Sequence, residues 1–134
     1  MSALSDIQPD DRVLFIDIPT EGLLREVAAL LPRGFIVAIA AGEAVRKARG
    51  TFAGLENVMF HATSPAEIPW QNGFFSLIVD LRDGWEDAAG ESREMARVLG
   101  PDGRLWTKRD VAPLAALGLA VAESVENFQV LRGQ

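Results

Sequence analysis

The chain has 134 residues, of which 49% are apolar and 24% charged, with a net charge of −6 and no cysteine. That length and composition suit one globular domain with a sizeable core. They exclude disulfides and thiolate metal sites, and an acidic balance without a basic stripe argues against nucleic acid and membrane surfaces as partners. No apolar run approaches the roughly 18 residues of a membrane span. The first residues lack the basic-then-apolar pattern of a signal peptide, so a cytoplasmic setting is expected.

Residues 1–11 read as a short N-terminal extension and residues 12–134 as a single domain. Arg12 to Ile18 is a predicted buried strand, nearly continuous in Val13, Leu14, Phe15, Ile16 and Ile18. A helix follows, with Thr20 as N-cap, Glu21 in its first turn and Leu23, Val27, Leu30 and Leu31 as its apolar stripe; Pro32-Arg33-Gly34 ends it. Phe35 to Ala40 is a second apolar strand, and "GEAVRKARGTF" a short helix with Val45, Ala48 and Phe52 inward. Asn57 to Ala62 is a third strand, "TSPAEIPWQNG" a loop rich in turn residues, and Phe74 to Leu81 a fourth strand. Glu86 to Leu99 is a helix, with Ala88, Ser92, Met95, Ala96 and Leu99 toward the core. "GPDG" is a turn, "RLWTK" a fifth strand and "VAPLAALG" a short helix closed by Gly118. "LAVAESV" and "FQVLRG", joined at Glu126-Asn127, make an antiparallel hairpin.

Strands alternating with helices predict an α/β fold: a three-layer α/β/α sandwich on a mostly parallel seven-stranded sheet with a C-terminal antiparallel hairpin. Ligands of such sheets bind beyond the carboxyl ends of the strands, at the topological switch point. Here that edge carries Asp17 to Gly22, Ala40 to Glu43, Ala62 to Pro65, Asp80 to Trp85 and Thr107 to Asp110.

Three stretches, "LLREVAALLPRGFIVAIAAGEAVRKAR", "NVMFHATSPAEIPWQNGFFSLIVD" and above all "REMARVLGPDGRLW", resemble the Rossmann-like (class I) methyltransferases that depend on S-adenosylmethionine (SAM). The resemblance runs from Arg12 to the final hairpin and implies that fold. It also implies where a SAM site would lie, and there the chain departs from the family. Phe15 stands where an acid is usual, and Asp17, Pro19 and Glu21 stand where glycines are usual. The acid that holds the ribose falls on Ala40, the acid near the adenine on Ser64, and an acid often found in the fourth strand on Ser76. Proline removes an amide donor, and Glu21 sets a negative charge near the methionine carboxylate of the cofactor or occupies the helix N-terminus in its place. The resemblance therefore implies a degenerate member with no SAM, no catalytic residue and no metal, acting as a binding, scaffolding or regulatory protein. The alternative it leaves open is a small SAM-dependent methyltransferase with an atypical cofactor loop.

Other residues have functional and plain readings. Asp17 caps a helix or binds a polar group. Glu43 is a first-turn helix acid or a displaced ribose ligand. His61, the single histidine, sits among apolar neighbours as a structural residue with no catalytic partner, and it leaves no basis for a transition-metal site. Asp80, Arg82, Asp83 and Trp85 form a charged loop with its own ion pair, or with Lys108 and Arg109 a ligand or partner edge; a different-ligand enzyme built on Asp80, Arg82 and Lys108 is a third reading. Trp70 is a loop residue able to anchor a partner. Only about ten residues precede Arg12, fewer than an isolated helix needs, so no substrate lid is expected there. A protein partner or self-association is expected, through a helix face, an edge strand or the ligand-edge loops.

Overall fold

The structure, a computed structural model, describes residues 3–125 and 127–133. Its strands are β1 (Arg12–Ile16), β2 (Phe35–Ala40), β3 (Val58–Ala62), β4 (Phe75–Asp80), β5 (Leu99–Thr107), β6 (Leu119–Val125) and β7 (Phe128–Gly133). Its helices are α1 (Glu21–Ala29), α2 (Gly42–Thr51), α3 (Ala88–Val98) and α4 (Ala112–Ala115), and a 3-10 turn spans Ala3–Asp6. The seven strands form one sheet in the order β3-β2-β1-β4-β5-β7-β6. β1 to β5 run parallel, while β7 pairs antiparallel with both β5 and β6. The direction of winding reverses between β1 and β4, which opens a crevice at their carboxyl ends.

Alternation along each buried strand divides the core in two. Val13, Phe15, Leu77 and Val79 face Leu24 and Val27 of α1 and Val45 of α2. Leu14, Ile16, Ile78 and Leu105 face Met95 and Val98 of α3 and Leu114 of α4. With helices on both faces, the central strands β1, β2 and β4 are near-continuous apolar runs, as the sequence reads.

Several boundaries move. β1 stops at Ile16, because Asp17 takes a φ of +83° and turns the chain out of the sheet. The inward stripe of α1 is Leu24, Val27 and Ala28, continued by Leu31; Leu23 is half-buried and Leu30 is exposed at the C-cap. α3 starts at Ala88 with Asp87 as N-cap, and it buries Glu91, which periodicity alone assigns to solvent. The "GPDG" stretch lies within β5, where the ladder jumps from Phe75↔Leu99 to Leu77↔Arg104. Gly118 closes α4 at φ +91°, a conformation that suits glycine. The β6–β7 pairing is antiparallel as read; Glu126, part of the expected turn, lies outside the described residues.

At the amino ends of the strands, away from the crevice, Arg104 joins distant parts of the chain. Its guanidinium donates to Asp6 at 2.5 Å and to Asp11 at 2.9 Å, and Ser76 Oγ donates to Asp11 at 2.8 Å while accepting the Arg12 amide. Ser76 is therefore at the opposite edge from any switch-point ligand. Burial pushes the Asp11 carboxyl up, but the bonds from Arg104, the Gln8 amide and Ser76 outweigh it and hold it below the ordinary range. A carboxyl lowered in the folded state stabilises above its unfolded pKa and loses that contribution as pH falls through the folded value. Urea midpoints are accordingly expected to be flat near neutrality and to fall below about pH 4. Asp11→Asn should be less stable at pH 7 and show a shallower decline; an unchanged pH profile would contradict the assignment.

Candidate functional site

The carboxyl ends of β1, β2 and β3 surround an open cleft of about 550 Å³. Its floor is Ile16 and Ile39, and Ala40, Ala41, Gly42 and Ala44 form the wall from β2 into α2. Ala62, Thr63, Ser64 and Pro65 supply the β3 side, and Asp17, Arg82 and Glu86 are the charged residues that line it. Because β2 and β3 end in alanines, their tips leave space and offer no side-chain acceptor.

Asp17 is the conformational outlier. It sits at the tip of β1 with its amide donating to Ile39 O at 2.8 Å, and its Oδ1 accepts the Ile18 amide at 2.9 Å. No cation among the described residues pairs with it. A non-glycine residue in the left-handed region is strained, with aspartate among the more tolerant. The chain thus keeps, at the first expected glycine position, the backbone shape that favours glycine while carrying a carboxylate. Asp17→Gly is expected to lie within about 0.5 kcal/mol of the parent in urea unfolding, since relieved strain offsets added chain entropy. Asp17→Ala should lose about 1 kcal/mol or more. Equal stabilities for the two variants would contradict the strain.

The remaining substituted positions are locally satisfied. Phe15 is fully buried in the core. Pro19 is buried and offers no amide. Thr20 caps α1 by accepting the Leu23 amide at 3.3 Å. Glu21 pairs with Arg25 of the same helix at 2.9 Å with its side chain 60% exposed, and it does not line the cleft. The plain reading of Glu21 as an exposed first-turn acid is thus the geometry observed. Ser64 Oγ accepts the Ala66 amide within its own turn, and Thr63 Oγ1 donates to Glu67 O. Glu43, in the first turn of α2, is exposed and not part of the cleft wall.

Beside the cleft, the ends of β4 and β5 hold a buried ionic cluster. Arg109 grips Asp80 with both ends of its fork, at 2.6 and 2.9 Å, and donates to Glu91 Oε1 at 2.5 Å. Thr107 Oγ1 donates to Asp80 at 2.9 Å. Trp85 covers the guanidinium at 4.1 Å and donates through Nε1 to Asp110 O. Burial pushes the Glu91 carboxyl up, yet the bonds from Arg109 and from the Asp87 and Glu86 amides outweigh it and leave it below the ordinary range. The loop ion pair differs from the expected one: Arg82 pairs with Glu86, just beyond Asp80–Trp85, at 2.6 Å, and not with Asp80 or Asp83. Asp80, Trp85 and Arg109 are thus brought together, with Asp80 and Arg109 engaged by each other rather than by solvent. Arg82 turns to the cleft. Lys108 stands apart, exposed over the Phe128 ring at 5.6 Å. Glu91 was missed from the sequence; its signal is Asp87, whose Oδ1 accepts the Gly90 amide while Glu91 Oε2 accepts the Asp87 amide, a reciprocal cap close to a capping box.

His61 and Trp70 pack edge to face at 5.5 Å, and Trp70 also meets Phe75 at 5.9 Å. Arg97 holds the Trp70 and Ile68 carbonyls at 2.7 and 2.6 Å. Trp70 is therefore a half-buried packing residue fixed by its loop, and not a free anchor.

No family model matches the chain, and no curated protein matches it. Solved structures do. The YcgJ protein of Bacillus subtilis is 23% identical with a TM-score of 0.63, covering 75% of this chain; the chain spans less than half, 44%, of that protein. A TehB-like SAM-dependent methyltransferase from Corynebacterium glutamicum is 14% identical with a TM-score of 0.74, covering 98% of this chain and 85% of its own. A chain of the complex between the Haloferax volcanii Trm112 methyltransferase activator and a candidate methyltransferase is 17% identical with a TM-score of 0.75, covering 93% of this chain and 69% of its own. No helix among the described residues is long and apolar enough to cross a membrane. Strand order, the terminal hairpin and these likenesses agree: the chain has the Rossmann-like fold of the class I SAM-dependent methyltransferases and resembles that family in structure.

Proposed function

We propose that this domain has kept the methyltransferase architecture and lost SAM binding and catalysis, and that it acts in the cytoplasm as a binding, scaffolding or regulatory protein. The observation that carries the reading is the wall of the cleft. At the end of β2 stand Ala40, Ala41 and Gly42, with Glu43 directed elsewhere, so ribose hydroxyls meet no acceptor. The Ser64 hydroxyl is engaged in its own turn, Pro19 has no amide to give, and Asp17 adds a carboxylate where a glycine would leave room. These residues do not fit SAM. Binding to the folded state alone raises stability by RT ln(1 + [L]/Kd), so SAM at a hundredfold excess over Kd would add about 2.7 kcal/mol. About 1 mM SAM is expected to leave the melting temperature unchanged. A rise of several degrees would sink this reading.

A second reading, a small SAM-dependent methyltransferase with an atypical cofactor loop, is favoured by one observation. The cleft persists and Asp17 keeps the left-handed turn, so its free carboxylate oxygen is available to an ammonium group. The same melting measurement separates the two. Action through protein contacts is supported by the neighbour found in complex with an activator protein.

A further inference from the structure

β3 is the outer strand of the parallel half of the sheet. In the parallel register Ile36↔Val58, the Ile36 amide donates to Asn57 O and the Thr63 amide to Ala40 O. Residues 57, 59, 61 and 63 therefore turn their backbone groups toward β2, and Val58, Phe60 and Ala62 turn theirs outward. Among the described residues no side chain bonds the outward backbone groups of Val58 or Ala62. Phe60 O accepts a bond from Arg49 of α2 at 3.0 Å. Such an edge is a template for another strand unless it is shielded, and β3 contains no proline, lysine or bulge.

Each face beside this edge carries a shallow groove. One, of about 360 Å³, lies between α2 and β3 over Phe52 and Leu55. The other, of about 480 Å³, lies beside His61, Ile68 and Glu94. Met59 is 54% exposed on the face opposite the buried Phe60. An added strand directs alternate side chains to the two faces, which these grooves flank.

Charge selects the occupant. The chain is acidic overall, and Glu67 and Glu94 line the groove on the far face, yet on the α2 face Arg49 borders the edge, and Arg46, three residues earlier on the same side of the helix, is also exposed. A second copy pairing antiparallel about Phe60 would bring two Arg49 side chains together at the axis, like charge against like charge. We propose that the β3 edge docks an extended, acidic segment of a different protein as an eighth strand. Its main chain bonds Val58, Phe60 and Ala62, and one of its carboxylates draws Arg49 from the Phe60 carbonyl. The proposal rests on the reading that the domain works through protein contacts, and it is independent of whether the cleft binds SAM.

The test is a selection of random dodecapeptides displayed on phage against the full chain, followed by amide hydrogen exchange with the enriched peptide. Sequences alternating apolar residues with Asp or Glu are expected. At saturation, exchange at Val58, Phe60 and Ala62 should slow by about tenfold or more, with Met59 and His61 unchanged because they already bond β2. Arg49→Glu should weaken binding by about five- to tenfold, and Val58→Pro, which removes an outward amide at a position an edge strand tolerates, should abolish it. Enrichment of basic peptides, protection at the cleft instead, or no enrichment above the Val58→Pro protein would overturn the proposal. So would concentration-dependent protection of the same three amides without peptide, which would make a second copy the occupant. Failure of this test leaves the SAM result standing, and SAM binding leaves this test standing.

Discussion

Arg109→Met is expected to be the most damaging single substitution at the carboxyl edge of the sheet. The guanidinium is the cation shared by Asp80 and Glu91, whose side chains are 0% and 2% exposed. Removing one partner of a buried pair leaves uncompensated charge and costs about 3–5 kcal/mol. For a domain of this size the melting temperature should fall by on the order of 10–20 °C. Arg82→Met is the control: its partner Glu86 is 78% exposed, so the loss should stay below about 1 kcal/mol. Similar effects from the two variants would mean that the cluster does not hold the β4 and β5 ends as described. The cluster also bears on function. With Asp80, Arg109 and Trp85 locked together, the loop after β4 is a rigid side of the cleft, and Arg82 is the cation it presents there.

How much of this was legible in the sequence follows from the range of each interaction. β2, Phe35 to Ala40, is found where the apolar run puts it, because burial on both faces leaves a continuous signal. The inward face of α1 is displaced by one position, since "LLREVAALL" offers two overlapping stripes and only the sheet decides between Leu23 and Leu24. The partners of Arg109 lie 29 and 18 residues away, and those of Arg104 up to 98, distances at which no local pattern pairs an arginine with an acid. Hence Arg109, which the sequence offers as part of a ligand or partner edge, is buried in the structure and already paired within the chain. The cleft lies at the carboxyl ends of the strands, the edge that topology singles out, whereas the left-handed turn at Asp17 has no local signal, because a residue other than glycine stands at the position that adopts it.

The second large expectation is the missing affinity for SAM. A lost hydrogen bond to a charged group is worth roughly 1.5–3 kcal/mol and a neutral one about 0.5–1.5. The amide absent at Pro19, the acceptor absent at Ala40 and the acid replaced by Ser64 together remove several kcal/mol. Each 1.4 kcal/mol is about a factor of ten, so a micromolar site falls toward millimolar or weaker. Restoring an acid with Ala40→Asp should recover only part of this, because Pro19 and Asp17 remain. Such terms do not add strictly when they share one ligand, so the whole site must be titrated. Isothermal titration of the intact chain with SAM and with S-adenosylhomocysteine measures it directly. The account predicts no saturable heat up to about 1 mM of either compound. A dissociation constant near or below about 10 μM, roughly −7 kcal/mol, would contradict it and make the chain a cofactor-binding methyltransferase.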